Sequence, residues 1–284
     1  MDGSPQVPAI DDWNQLLAGR IAVVTGGGDG IGGAIARLFA RHGAHVEIAE
    51  IDPARAEQIV DDIEGAGGSA RSHLLDVTRP DHVAHLAGSV LAEHDGVDVL
   101  VNNVGDYRPL APFRRSSPET WSAMYETNLL HVIAVTHAFL DAMIDSGGGS
   151  IVNVHSVEGM RGYPPDPVYG AMKAAVAAFT TDLAVAMGRH GVRVNGIGPD
   201  LTQTPQVDYL ATCDGEDDDR WASWAPVGRL GWPEDQARVA LFLASDASSF
   251  VTGHNIPVDG GTLAGGGWFH SPTERRFVNR PRGL

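Results

Sequence analysis

The segment from Ile21 to Ala40 constrains this chain most, because three kinds of local chemistry follow one another without a gap. Ile21-Ala22-Val23-Val24-Thr25 is a short, apolar, β-branched run of the kind that becomes a buried parallel strand. Glycines follow in Thr25-Gly26-Gly27-Gly28-Asp29-Gly30-Ile31-Gly32, and Gly33-Ala34-Ile35-Ala36-Arg37-Leu38-Phe39-Ala40 then repeats its apolar residues at helical spacing. Strand, glycine turn and helix in that order form a phosphate cradle. Absent side chains let the backbone approach a pyrophosphate, and the helix N-terminus faces it with unpaired N–H groups.

Strand and helix patterns alternate from Gly19 to Asp246, with strand-like runs near Val46, Leu74, Val99, Val152 and Val194 and a last one near Ile256. That alternation predicts an α/β fold with a parallel, doubly wound sheet. Long helical patterns run from about Pro118 to Ile144 and from Pro167 to Gly188. With 284 residues and 43% hydrophobic content, one large core suffices and no second domain is required. The single cysteine, Cys213, excludes an internal disulfide framework. No apolar stretch reads as long or clean enough to cross a membrane, and Met1-Asp2-Gly3-Ser4-Pro5 lacks signal-peptide regions, so a cytoplasmic protein is expected. A formal net charge of −16 argues against nucleic acid as a partner. The histidines show no metal-ligand spacing, and no metal is expected.

Val168-Tyr169-Gly170-Ala171-Met172-Lys173-Ala174 places a phenol and an ammonium four residues apart, on one face of a helix. Lowering a phenol pKa from about 10 by two to three units needs roughly 3–4 kcal/mol. An ammonium about 4 Å away at an effective dielectric of about 20 supplies around 4 kcal/mol. The pair is a candidate acid/base device.

Taken together, the glycine turn and this pair resemble the short-chain dehydrogenase/reductase family in its single-domain form, over about Gly19 to Thr262. The glycines match the family's Thr-Gly-x-x-x-Gly-x-Gly pattern. Asn102-Asn103-Val104-Gly105 resembles its Asn-Asn-Ala-Gly, with valine in place of alanine, and Val251-Thr252-Gly253 and Asp259-Gly260-Gly261 resemble its closing strand. The resemblance implies a Rossmann-like sheet of order 3-2-1-4-5-6-7 with helices on both faces. It also implies a catalytic set of Asn128, Ser156, Tyr169 and Lys173. In that set Tyr169 moves a proton at the substrate oxygen, Ser156 hydrogen-bonds that oxygen, Lys173 lowers the tyrosine pKa and holds the nicotinamide ribose, and Asn128 positions a water. Cofactor contacts implied in the same way are Gly26, Asp29, Gly30, Ile31, Gly32, Asp76, Val77, Asn103, Val104, Gly105, Tyr169, Lys173, Pro199, Thr202 and Thr204. Asp76 also reads as a helix cap before Pro80. Asp200 stands where the family has glycine, and reads as a local turn cap or a substrate contact. His155, often serine in the family, reads as packing or as hydrogen-bonding support.

Glu50 closes His45-Val46-Glu47-Ile48-Ala49-Glu50, about twenty residues beyond the glycine turn, where a carboxylate accepts hydrogen bonds from an adenosine ribose. It would repel a 2′-phosphate, and Asp29 and Ile51 occupy positions where phosphate-preferring relatives often carry a basic residue. NAD is therefore the expected cofactor. The chain divides into an extension (1–18), a cofactor and catalytic domain (19–262) and a tail (263–284). Its segment 201–232 corresponds to the family's substrate lid and includes Asp214, Glu216, Asp217, Asp218, Asp219, Trp221 and Trp224. Trp221, Trp224 and Trp268 suggest an apolar or cyclic secondary alcohol or ketone as substrate. A 3-oxoacyl thioester reductase is the alternative within the family, and a nucleotide-binding scaffold without chemistry is the alternative outside it. A homotetramer is expected through the long helices and final strand. The tail, with Trp268, Phe269, Phe277 and the arginines Arg275, Arg276, Arg280 and Arg282, either docks on a neighbour or is a mobile end.

Overall fold

Local chemistry sets each element of the sheet and its helices. A computed structural model describes residue 8 and residues 10–110, 112–211, 221, 223–271 and 273–278. Strand β1 (Ile21–Thr25) leads into α1 (Gly30–Arg41), and β2 (His45–Glu50), α2 (Pro53–Gly65), β3 (Ser69–Leu74) and α3 (Pro80–Glu93) follow. After β4 (Val99–Asn102) come α4 (Pro118–Tyr125), a π turn (Glu126–Leu130) and α5 (His131–Asp145). Then β5 (Gly149–Val154), α6 (Pro167–Met187), β6 (Val192–Pro199), α7 (Pro233–Ala244) and β7 (Asn255–Val258) complete the sheet. Asp29, Asp52 and Asp166 cap α1, α2 and α6 by accepting from first-turn N–H groups, and proline opens α2, α3, α6 and α7, where its missing N–H costs nothing.

The seven strands are all parallel, in the order β3-β2-β1-β4-β5-β6-β7. Strand period divides the core in two. Ala22, Val24, Val99 and Val101 face a layer built with Ile35, Phe39 and Leu243, whereas Val23 and Leu100 face Leu86, Val90, Phe139 and Met143. Both faces of the central strands are thus covered, which explains why those strands read as unbroken apolar runs.

The two long helical stretches need a correction. Pro118–Asp145 and Pro167–His190 are long and apolar enough, by length and composition, to cross a membrane. Here they lie against the sheet, α5 on β4 and β5 and α6 on β6. Their apolar character serves the second core layer, through Val135, Phe139 and Met143 of α5 and Ala184 of α6. Beyond the sheet, the chain adds an antiparallel hairpin of β8 (Phe269–Ser271) and β9 (Arg276–Val278). The acidic run from Asp214 to Asp219, Cys213, and the arginines Arg280 and Arg282 lie outside the described residues.

Candidate active site

A cleft of about 1030 Å³ opens at the carboxyl ends of the strands, where loops from both halves of the sheet converge. Gly26, Asp29, Gly30, Ile31, Glu50, Asp76, Val77, Asn103, Val104, Gly105, Ser156, Tyr169, Lys173, Pro199, Thr202 and Thr204 all line it. Gly32 and Asn128 do not. A Cβ on Gly32 would stand 2.1 Å from the Gly26 carbonyl oxygen, so this glycine lets the helix close on the turn. Gly26 and Gly30 hold φ of +61° and +56°, values that side chains disfavour, which keeps the turn open to a ligand. These features fit a dinucleotide.

At the turn, the Glu50 carboxylate accepts from the Gly28 N–H at 3.0 Å, the Ile51 N–H at 2.9 Å and the Asp52 N–H at 3.1 Å. Arg55, which the sequence reading passed over, also lines this end and lies 4.0 Å from Asp29. Its signal was present in the sequence: it stands in the first turn after β2. Asp76 accepts from the Thr78 N–H and hydroxyl at 2.9 and 2.7 Å, while α3 has no side-chain cap, so Asp76 is no helix cap.

Nearer the centre, the Lys173 ammonium is buried and donates to the Val154 carbonyl at 3.2 Å. It sits 5.8 Å from the centroid of the Tyr169 ring. Burial pushes its pKa down to about 8. Burial pushes the Tyr169 hydroxyl up, although its hydrogen bond with Ser156 pulls the other way. This corrects the expected direction for Tyr169. Four-residue spacing shares a helix face and sets the ammonium over the Tyr169 ring, but its hydrogen bond goes to the end of β5 and not to the phenol oxygen. Asn128, fully buried in the π turn, accepts from the Asp106 N–H at 3.1 Å and donates to the Asp106 and Met124 carbonyls at 2.8 and 3.1 Å. Its amide fastens the loop after β4, and π turns are frequent at such sites. His155 packs against Gly196 and Gly198, where added Cβ atoms would meet its ring at 2.8 and 2.7 Å, and burial lowers its pKa to about 4. Its Nδ1 also lies 3.1 Å from the Ser156 carbonyl oxygen, so this histidine both packs the strand end and supports the Ser156 backbone.

The outer cleft is aromatic. Tyr107, Tyr163, Tyr209, Trp221 and Trp224 line it, with Tyr107 and Tyr163 edge-on to Tyr169 at 6.4 and 5.9 Å. Trp268 is not among the lining residues. Arg161 donates to Glu158 at 2.7 Å and to Asp200 at 2.8 Å, and these partners raise its pKa. Asp200 also caps its own turn at the Leu201 N–H (2.9 Å) and accepts from the Thr262 hydroxyl at 2.6 Å. The departure from glycine is therefore a local cap with an added ion pair. Two carboxylates against one guanidinium leave this wall of the cleft with a net negative charge.

Residues 26–262 match the family described as enoyl-(acyl carrier protein) reductase. The 3-oxoacyl-[acyl-carrier-protein] reductase of Chlamydia muridarum is 39% identical over 249 residues, covering 87% of this chain and 99% of the relative. The chain belongs to the short-chain dehydrogenase/reductase family. A cis-4-hydroxycyclohexanecarboxylate dehydrogenase of Sinomonas cyclohexanicum, 39% identical, covers 88% of this short-chain dehydrogenase/reductase and 99% of itself. Among solved structures, a 7α-hydroxysteroid dehydrogenase complexed with NADH and 7-oxo glycochenodeoxycholic acid superposes with a TM-score of 0.81 at 32% identity, over 87% of this chain and 96% of its own. A protein described as an NAD(P)-dependent gluconate 5-dehydrogenase from Beutenbergia cavernae, with bound NADP, superposes with 0.82 at 37%, over 88% and 99%. The protein is thus a nicotinamide-dependent oxidoreductase acting on CH–OH and C=O groups.

Proposed function

We propose that this member of the family is an NAD-dependent dehydrogenase of an apolar, cyclic secondary alcohol or its ketone. The observation that carries the reading is the aromatic outer cleft beside Ser156 and Tyr169, where Arg161 is already held by Glu158 and Asp200 and Arg108 by Asp106. Flat apolar rings favour a flat apolar substrate, and a neutralised arginine offers little to an anion. Bound nicotinamide supplies the hydride acceptor or donor. In this reading Tyr169 gives or takes the proton at the substrate oxygen, and Ser156 hydrogen-bonds the same oxygen. Lys173 brings a buried positive charge to the ribose side, and Asn128 fixes the loop that carries Asp106.

Glu50 supports the non-phosphorylated cofactor, because a second anion against its carboxylate is unfavourable. Arg55 acts in the opposite sense and Asp29 offsets it. The unit is taken as residues 19–262, with 201–232 covering the substrate and 263–284 as the tail. Trp121, Ile133 and Val185, which the two long helical stretches leave exposed, support a homotetramer, which light scattering measures, and a cytoplasmic site near the nicotinamide pool belongs to the same reading.

A 3-oxoacyl thioester reductase is a second reading, favoured by the identity to the Chlamydia muridarum relative. Steady-state kinetics with NADH and NADPH on cyclohexanone-type ketones, a hydroxysteroid and an acetoacetyl thioester separate the two. Preference for the thioester with NADPH would overturn the proposal. Tight NAD binding without turnover on any substrate would favour a scaffold.

A further inference from the structure

The histidines show no metal spacing along the chain, yet three of them converge on one carboxylate. His45 and Glu47 stand two residues apart on β2, so both side chains leave the same face of the sheet. His94 follows the last turn of α3 and comes to the same place from 47 residues away. The Nε2 atoms of His45 and His94 lie 3.2 and 2.7 Å from the Glu47 Oε1. All three ligand atoms fall within 4.8 Å of one another. Four-coordinate zinc, with bonds of roughly 2.0–2.1 Å, sets its ligand atoms about 3.3 Å apart. The His45 separation already has that value, and His94 needs to open by about half an ångström.

The surroundings are built as supports for such a ligand set. His45 Nδ1 lies 2.7 Å from the Ser69 hydroxyl, which orients the ring and directs Nε2 toward Glu47. Buried His73 holds the other carboxylate oxygen, with its Nε2 2.6 Å from Oε2, and so leaves Oε1 to act alone. Metal-binding side chains commonly have partners of this kind. The Glu47 side chain is wholly buried, whereas those of His45 and His94 keep 27% and 18% of their surface, so an ion has a solvent-side route. None of the four residues lines the nicotinamide cleft.

We propose that His45, Glu47 and His94 bind a divalent transition ion of the zinc type, with water as fourth ligand and His73 and Ser69 in support. The ion ties β2 to the C-terminal end of α3 and acts as a structural clamp apart from the redox chemistry. Imidazole with one carboxylate is a donor set that zinc and its neighbours accept.

Untagged, chelator-treated protein, otherwise intact, is titrated with Zn²⁺ by calorimetry and with Co²⁺ by visible absorption. Expected are one equivalent of Zn²⁺ bound, a d–d band of tetrahedral intensity with Co²⁺, and a melting temperature that rises with Zn²⁺. His45→Ala and His94→Ala should each weaken Zn²⁺ binding at least about 100-fold, and His73→Gln by about tenfold, the lower end of the typical cost of losing a supporting partner. Turnover with the nicotinamide cofactor should stay unchanged in all three. X-ray absorption of the zinc-loaded protein should show two imidazoles and one carboxylate, a readout that holds even where a variant folds poorly. No stoichiometric heat, unchanged affinity in the His45→Ala/His94→Ala double variant, or a shell without imidazole would overturn the assignment.

Discussion

Two glutamates on strand β2, three residues apart, have opposite surroundings. Glu50 ends the strand on the side of the glycine turn and takes its hydrogen bonds from backbone N–H groups of Gly28, Ile51 and Asp52. Glu47 leaves the other face and takes its partners from the side chains of His45, His73 and His94. Burial alone would raise the Glu47 pKa, but the hydrogen bonds from His73 and His94 outweigh it and hold the group at about 2. Backbone N–H groups fix the Glu50 carboxylate in place at the lip of the cleft. Titratable side chains instead tie Glu47 to their own protonation and to any ion that can replace their protons. The comparison teaches that partner type, more than burial, separates a ligand-facing carboxylate from a structural one.

If the cleft carries the chemistry, its variants should change kinetics and spare stability, while variants of the histidine cluster should do the reverse. Tyr169→Phe is expected to lower turnover by at least about 10²-fold with cofactor affinity nearly unchanged, as measured by steady-state rates and fluorescence titration. Retained activity would take the tyrosine out of the mechanism. Glu47→Gln removes a charge that organises three imidazoles, and hydrogen bonds to charged groups are worth about 2 kcal/mol. Its melting temperature should fall by roughly 5 °C while kcat/KM stays within about twofold. A kinetic defect without a thermal one would break the division between the two regions.

Glu50→Ala should shift the NADH to NADPH preference by about tenfold toward the phosphorylated form, because roughly 1.4 kcal/mol is a modest value for one removed charge near a phosphate. An unshifted ratio would mean that Arg55 or another group decides the choice. The smallest effect concerns acid. His131 and His155 have pKa values lowered to about 4, by burial first and by Lys173 in addition. The folded state keeps them neutral, whereas the unfolded chain takes up protons below about 6.5, so stability should decline as pH falls from there toward 4. Denaturant melts across that range should show less decline in His155→Phe. An equal slope would assign the acid sensitivity elsewhere.

Much of the cleft was legible because its residues are near neighbours in sequence or sit at strand ends. Val97 to Gly105 and Ser150 to Ser156 each carry a strand and the polar residues that follow it, and a parallel strand delivers those residues to the same edge. Tyr107, Tyr163 and Tyr209 were missed because they come from separate loops and share no spacing, whereas Arg55, in the first turn of α2, was within reach of the sequence. Trp268 was misassigned, since the segment after Thr262 leads into the β8–β9 hairpin and not into the cleft.

Strand period, glycine positions and helix spacing are local properties, so the residues alone carried the α/β class, the phosphate turn and the shared helix face of Tyr169 and Lys173. Distances between side chains depend on how elements pack. Only the folded chain turned the Lys173 ammonium to Val154, engaged Asn128 with the Asp106 loop and paired Asp200 with Arg161. The same reason hid the histidine cluster: His45, His73 and His94 are 28 and 21 residues apart in turn, and they meet because β2, β3 and α3 pack side by side around one buried carboxylate.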